Sequence, residues 1–88
     1  MQQREVEIVN SEGMNAAASS KLVQVAAKYL CNVSLARGGR RINAKSLMGV
    51  MMLAAREGSR VVIETDGPDE AEALSAIVAL IDDGFGEK

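Results

Sequence analysis

The chain has 88 residues, enough for one small domain over 1–88, and only 2% of them are aromatic, so the core must be aliphatic. Its formal net charge of −2 gives no electrostatic reason to bind nucleic acid or an anionic membrane surface. The lack of histidine excludes histidine as a metal ligand, general base or phosphoryl acceptor, and we expect neither a metal nor a cofactor.

A strand and a helix are predicted at the start of the chain. Residues 4–9 alternate between polar and apolar side chains, with Val6 and Ile8 on one side, as in a half-buried strand. After a polar turn, apolar residues recur at helical spacing over 15–30. Asn15 is a suitable N-cap, because its side-chain oxygen can accept from an N–H one turn on. The backbone N–H groups of the first helical turn have no partners within the helix, which predicts an anion-binding site at this helix start.

A hairpin and a short helix are predicted in the middle of the chain. Strands at 32–37 and 40–43 flank the Gly38-Gly39 pair, which tolerates the positive φ of a tight turn. Ser46 is a suitable N-cap for the apolar helix that follows, and Gly58 is its predicted end. Three arginines beside the turn are expected to form a solvated basic tip: Arg37, Arg40 and Arg41.

A fourth strand and a last helix complete the chain. Residues 60–66 alternate as in a strand, and Pro68 and two acids then favour the first turn of a helix that ends at Gly84. The predicted apolar stripe of this helix is Ala71, Leu74, Ile77, Val78 and Ile81.

The order of elements is β-α-β-β-α-β-α, which predicts an α+β fold. One sheet of four mostly antiparallel strands, covered on one face by three helices, buries the apolar face of every element. Cysteine use suits a reducing compartment, since the single Cys31 cannot form an internal disulfide. No signal peptide and no apolar run of about 20 residues is recognisable, so we expect a cytoplasmic protein that does not enter the membrane.

Several stretches resemble the HPr family, the histidine-containing phosphocarriers of the bacterial phosphoenolpyruvate:sugar phosphotransferase system. The most specific of these stretches extends from Arg40 to Ala54. It is similar to the family's segment around its regulatory serine and short second helix. The Gly58-Ser59 pair and residues 66–71 also match. The resemblance implies an open-faced β-sandwich with strand order 1-4-2-3.

The reactive groups of the family's phosphocarrier motif are absent from this chain. The family pattern is Gly-Leu-His-Ala-Arg, whereas residues 13–17 are Gly-Met-Asn-Ala-Ala. Asn15 therefore stands in the place of the phosphorylated histidine, and Ala17 in the place of the assisting arginine. An amide nitrogen is a very poor nucleophile, and the missing charge would stabilise the transferring group. The sequence predicts that no phosphoryl group is relayed through position 15.

The resemblance implies two further features. Ser46 matches the serine that the ATP-dependent HPr kinase phosphorylates in some bacteria, although a role as N-cap alone also explains it. Side chains around it would form a docking surface for enzyme I and enzyme IIA domains, or simply pack in the core. The expected protein is a monomer, and its predicted partner-binding residues are Met14, Ala16, Ser20, Lys21, Gln24, Lys45, Leu47, Met48 and Met51.

Three interpretations remain open at this point. The chain is a member of the HPr family that acts by binding, as a regulator, a decoy or an effector phosphorylated on Ser46. Alternatively, it is an engineered or reconstructed HPr in which both reactive groups were replaced by small residues. The third interpretation is an unrelated small α/β interaction domain that shares only the architecture.

Overall fold

In a computed structural model of the chain, residues 1–87 are described. They form four strands, three α-helices and a short 3-10 helix in the predicted order. The bounds are β1 Gln2–Glu7, α1 Ala16–Ala26, β2 Asn32–Arg37, β3 Arg40–Asn43, α2 Leu47–Met52, β4 Arg60–Asp66, α3 Glu70–Asp82 and the 3-10 helix Gly84–Gly86.

The four strands form one antiparallel sheet with the order β1-β4-β2-β3. Leu35 in β2 lies between Ile42 of β3 and Ile63 of β4, which fixes the register of the three strands. Alternate residues of β4 are buried, so one face of the sheet packs against the helices. The predicted α+β open-faced sandwich with strand order 1-4-2-3 is therefore confirmed.

The core is aliphatic apart from one ring, as the composition predicts. Val6 and Ile8 are both buried, although β1 ends at Glu7 rather than continuing to residue 9. Ile8 is held beyond the strand by its own backbone: its N–H donates to Ser59 O at 2.9 Å, and its carbonyl accepts from Gly58 N–H at 2.8 Å. Phe85 is the largest fully buried side chain.

The predicted end of the first helix is wrong. α1 ends at Ala26 rather than at residue 30, and the Leu30 side chain is 83% exposed. The chain is turned toward β2 by Asp69, whose carboxylate accepts from the N–H of Leu30 at 2.8 Å and from the N–H of Cys31 at 2.9 Å. A carboxylate distant in sequence thus replaces the carbonyls of the preceding turn, to which these N–H groups would donate in a continued helix.

The predicted end of the second helix is also wrong. α2 stops at Met52, and Ala54 takes a left-handed backbone conformation with φ of 54°. Gly58 instead lies in the turn before β4. Alanine rarely adopts this conformation, so sequence rules that look for glycine at a helix end miss it.

α3 starts and packs slightly differently from the prediction. Its N-cap is Asp69, so Pro68 precedes the helix rather than lying in its first turn. Ala71 is exposed and Ala73 is buried in its place. The other predicted members of the stripe are buried as expected: Leu74, Ile77, Val78 and Ile81. Among the helices of residues 1–87, none has the length and hydrophobicity that a membrane span requires.

Candidate functional site

The start of α1 has the predicted cap. Asn15 has an extended backbone, and its Oδ1 accepts a hydrogen bond from Ala18 N–H at 2.8 Å. Its own N–H donates to Gly13 O at 2.9 Å. Ala16 and Ala17 follow on the exposed side of the first turn. The side chains at this helix start therefore offer an amide and two methyl groups.

The loop in front of α1 lies directly against the segment that follows α2. Gly13 has a φ of +62°, and a Cβ atom there would lie 2.6 Å from Ala55 O and 2.9 Å from Arg56 Cα. Glycine is required at this position both by the backbone conformation and by the close approach. Met14 N–H also donates to Ala55 O at 2.9 Å. Backbone atoms thus join the loop in front of Asn15 to the segment that follows α2.

Two buried polar side chains hold this loop, and the sequence did not identify either of them. Asn10 Nδ2 donates to Gly13 O at 2.7 Å and to Glu87 Oε1 at 3.2 Å. Ser19 Oγ donates to Met14 O at 3.2 Å. The polar turn around Asn10 is a signal for local side-chain to backbone bonding, but only the fold shows which carbonyls are involved.

The start of α2 also has the predicted cap. Ser46 is exposed, and its Oγ accepts from Gly49 N–H at 3.1 Å. Lys45 lies just before it, and its Nζ donates to Tyr29 O at 2.7 Å, next to the end of α1. α1 and α2 pack against each other, so the docking residues predicted on these helices belong to neighbouring elements.

Four large apolar side chains of α2 are exposed, and we call them the α2 patch. They are Leu47 at 44% exposure, Met48 at 72%, Met51 at 43% and Met52 at 60%. Val50 and Leu53 carry the buried face of the same segment. The prediction that Leu47, Met48 and Met51 are available to a partner is consistent with this exposure, and Met52 extends the surface. Exposed apolar clusters of this kind are typical of interaction sites.

Met14 does not belong to an exposed surface. Its side chain is only 6% exposed and packs in the core, because the loop that carries it is drawn onto Ala55. The polar residues of the predicted set on α1 are engaged within the chain. Lys21 Nζ donates to Phe85 O at 2.7 Å, and Gln24 Nε2 donates to Ser20 Oγ at 3.1 Å.

The three arginines of the hairpin are exposed, as expected for a solvated basic tip, and each also contacts another part of the chain. Arg37 Nη1 donates to Leu53 O at 3.3 Å, and Arg40 Nη1 donates to Met52 O at 2.9 Å. Arg41 pairs with Glu64 of β4. The carbonyls at the end of a helix need donors from outside it, and the hairpin lies close enough to supply them.

Two titratable groups near the end of α1 are shifted by their surroundings. The N–H of Leu30, together with that of Cys31, holds the pKa of the Asp69 carboxyl below its usual value. Burial, together with the nearby Asp69 carboxylate, raises the pKa of the Cys31 thiol. Stabilisation of the carboxylate by N–H donors explains the first shift, which marks Asp69 as a structural anion rather than a reactive acid.

A separate groove of about 390 Å³ lies between β1 and α3. None of the predicted site residues lines it. Among the residues that the structure describes, no group of three or more His, Cys, Asp and Glu side chains is placed to hold a metal ion. The groove lining consists of Gln2, Arg4, Ala71, Leu74, Ser75, Val78, Ala79 and Asp82.

Sequence comparisons give one consistent result. A family model described as "PTS HPr component phosphorylation site" matches residues 2–83. The phosphocarrier protein HPr of Cupriavidus necator is 54% identical over 87 residues, covering 99% of this chain and 98% of that protein. The phosphocarrier protein HPr of Neisseria meningitidis serogroup B is 45% identical over 87 residues, with coverage of 99% and 98%.

Comparison with solved structures agrees. HPr-C-His from Thermoanaerobacter tengcongensis superposes with a TM-score of 0.97 at 36% identity, covering all of this chain and 99% of that one. The catabolite repression containing protein Crh of Bacillus subtilis superposes with a TM-score of 0.77 at 36% identity, covering 96% and 97%. That Crh structure is described as a domain-swapped dimer.

Proposed function

The chain belongs to the HPr family of phosphotransferase-system phosphocarriers, and we propose that this member binds proteins of that system without relaying phosphoryl groups through residue 15. Family membership rules out the interpretation as an unrelated α/β interaction domain. HPr proteins are carriers rather than enzymes.

The side chain at position 15 supports the loss of relay. The Asn15 Oδ1 is committed to the N–H of Ala18 at 2.8 Å, and its amide nitrogen is a poor nucleophile because the lone pair is delocalised into the carbonyl. No histidine elsewhere in the chain replaces it. Ala17 offers only a methyl group where a cation would stabilise the transferring phosphoryl group.

The α2 patch supports the binding half of the proposal. Large apolar side chains are left in solvent at Met48 and Met52, while the same helix buries Val50. Methionine is flexible and polarisable, so it suits a surface that accommodates more than one partner. Enzyme I and enzyme IIA domains are the proposed partners, as the family membership suggests.

A calorimetric titration with enzyme I tests the binding half. We expect the wild-type chain to bind and Met48→Asp to bind at least about tenfold more weakly, because a charge then has to be desolvated against an apolar partner. Arg60→Gln on the sheet is the control and should bind like the wild type. Absence of wild-type binding would overturn this half. Incubation with phosphoenolpyruvate and enzyme I, followed by assay for acid-labile phosphate, tests the relay half.

Ser46 is the proposed regulatory site of this member. Its hydroxyl is exposed at the start of α2, where the helix N–H groups favour added negative charge. Incubation with HPr kinase and ATP should add one phosphate to the wild-type chain and none to Ser46→Ala. Phosphate mapped to another residue, or no phosphate, would contradict this assignment.

A further inference from the structure

α2 is too short to hold its own end in place. It has six residues, includes Gly49 and carries no basic residue in its last turn. A helix of this length is unstable in isolation, and glycine lowers its helical propensity by about 1 kcal/mol relative to alanine. The carbonyls of Val50 and Met51 accept from the N–H groups of Leu53 and Ala54, each at 3.2 Å, whereas the carbonyl of Met52, the last of the helix, lies beyond this pattern. Its geometry must therefore be fixed by groups from other elements.

Two arginines of the β2–β3 hairpin supply those groups. Arg40 Nη1 lies 2.9 Å from Met52 O, and Arg37 Nη1 lies 3.3 Å from Leu53 O. The two donors come from opposite sides of one tight turn and reach two consecutive carbonyls. A positive charge at the carboxyl end of a helix is electrostatically favourable, and a charged donor strengthens each hydrogen bond.

The carbonyls of Met52 and Leu53, which accept from these arginines, lie immediately before the segment that contacts the loop in front of α1. Ala54, the next residue, has a φ of 54°, a conformation that costs an alanine free energy and persists only where its surroundings impose it. The residue after it, Ala55, accepts the hydrogen bond from Met14 N–H at 2.9 Å. The hairpin arginines, the end of α2 and the loop in front of Asn15 thus form one continuous set of contacts.

We propose that Arg37 and Arg40 are positioning residues that set the orientation of the α2 patch relative to the start of α1. They act on the docking surface through the carbonyls of Met52 and Leu53 and need not touch the partner. Arg41 has no part in this role, because it pairs with Glu64. The effect of the two arginines on binding rests on the proposed docking function, whereas their effect on α2 does not.

The effect on α2 is measured without a partner. In the Arg37→Gln/Arg40→Gln double variant, we expect amide hydrogen exchange at Leu53 and Ala54 to rise about threefold to tenfold, as loss of such hydrogen bonds implies. The methyl NMR signals of Met51 and Met52 should shift with it. Arg40→Gln alone should give a smaller change in the same direction, so the test survives if the double variant folds poorly. Arg40→Lys, which keeps one donor, should restore part of the protection.

Arg60→Gln is the matched control, since it removes an exposed arginine whose ion pair with Glu5 lies on the sheet. Its exchange rates at Leu53 and Ala54 should equal those of the wild type. Equal rates in the control and in the Arg37→Gln/Arg40→Gln variant would overturn the inference. Exchange in β4, for example at Ile63, should stay unchanged in all variants, which separates a local effect from general destabilisation.

The effect on docking is measured by titration with enzyme I. We expect the Kd of the Arg37→Gln/Arg40→Gln variant to be about threefold or more above that of the wild type. The Arg60→Gln control should have the same Kd as the wild type. Faster exchange with an unchanged Kd would contradict the positioning role and leave the arginines as helix caps only. If the wild-type protein does not bind enzyme I, the proposed docking function fails, and the positioning role for docking fails with it. The contacts of Arg37 and Arg40 with the end of α2 are still tested by hydrogen exchange.

Discussion

The N–H of Met14 donates a hydrogen bond to the carbonyl oxygen of Ala55 at 2.9 Å. This bond joins the loop in front of α1 to the segment that follows α2. The two regions are far apart in sequence, yet backbone atoms hold them together. The position of Asn15 at the start of α1 therefore depends on how α2 ends, and substitutions in either segment should affect both.

Gly13→Ala should be strongly destabilising. A Cβ atom at this position would lie 2.6 Å from Ala55 O, and the φ of +62° disfavours any side chain. Strain of this kind costs about 1–3 kcal/mol, and the close approach adds to it, so we expect a loss of about 2 kcal/mol or more in the free energy of unfolding. Urea denaturation measures it. Gly39→Ala is the control, because a Cβ there meets nothing within 4 Å; an equal loss in both variants would contradict the account.

Ala54→Gly should be stabilising. Ala54 has a φ of 54°, which glycine adopts without the steric cost that a Cβ atom carries. We expect a gain of roughly 0.5–1 kcal/mol in the free energy of unfolding, since greater freedom of the unfolded chain offsets part of the relief. Ala17→Gly on the exposed side of α1 should have the opposite sign, with a loss of about 1 kcal/mol. A loss of stability in Ala54→Gly would show that this residue is not strained.

The caps of this fold follow from local sequence, and its long-range contacts do not. Asn15 and Ser46 are each recognisable because a cap bonds an N–H only three residues away. The Met14–Ala55 bond and the arginine contacts with α2 join residues that only the folded topology brings together. The end of α1 is missed for the same reason, since the distant Asp69 carboxylate receives the N–H of Leu30. The end of α2 is missed because an alanine, Ala54, takes the left-handed conformation that sequence rules assign to glycine.

Asp69→Asn should remove a part of the free energy of unfolding that depends on pH. The N–H groups of Leu30 and Cys31 lower the pKa of Asp69 in the folded state, so the folded protein binds its proton less readily than the unfolded chain. Asp69 therefore stabilises the fold above its unfolded pKa of about 3.9, and this contribution is lost as pH falls through the lower folded value.

The measurement is the free energy of unfolding of the wild type minus that of Asp69→Asn at a series of pH values. This difference should be greatest near neutral pH and should shrink as the pH falls below about 4. Glu57→Gln, at an exposed position, is the control and should show no such trend. A difference that stays constant across this range would contradict the assigned role of the carboxylate.

Two side chains of the second helical segment should separate stability from docking. Leu53 is fully buried, so Leu53→Ala should cost about 2–5 kcal/mol in the free energy of unfolding. Met48 is 72% exposed, so Met48→Ala should stay within about 0.5 kcal/mol of the wild type. Chemical denaturation of both variants checks the pair. A cost at Met48 comparable with that at Leu53 would show that the α2 patch is part of the core rather than a free surface.

Phosphoryl transfer from phosphoenolpyruvate through enzyme I tests the central claim most directly. The wild-type chain should acquire no acid-labile phosphate, because Asn15 offers no competent nucleophile. The Asn15→His/Ala17→Arg variant restores both reactive groups at the same helix start and should become phosphorylated under the same conditions, which shows that the assay and the docking surface are functional. Acid-labile phosphate on the wild-type chain, at a level comparable with that of this variant, would contradict the account.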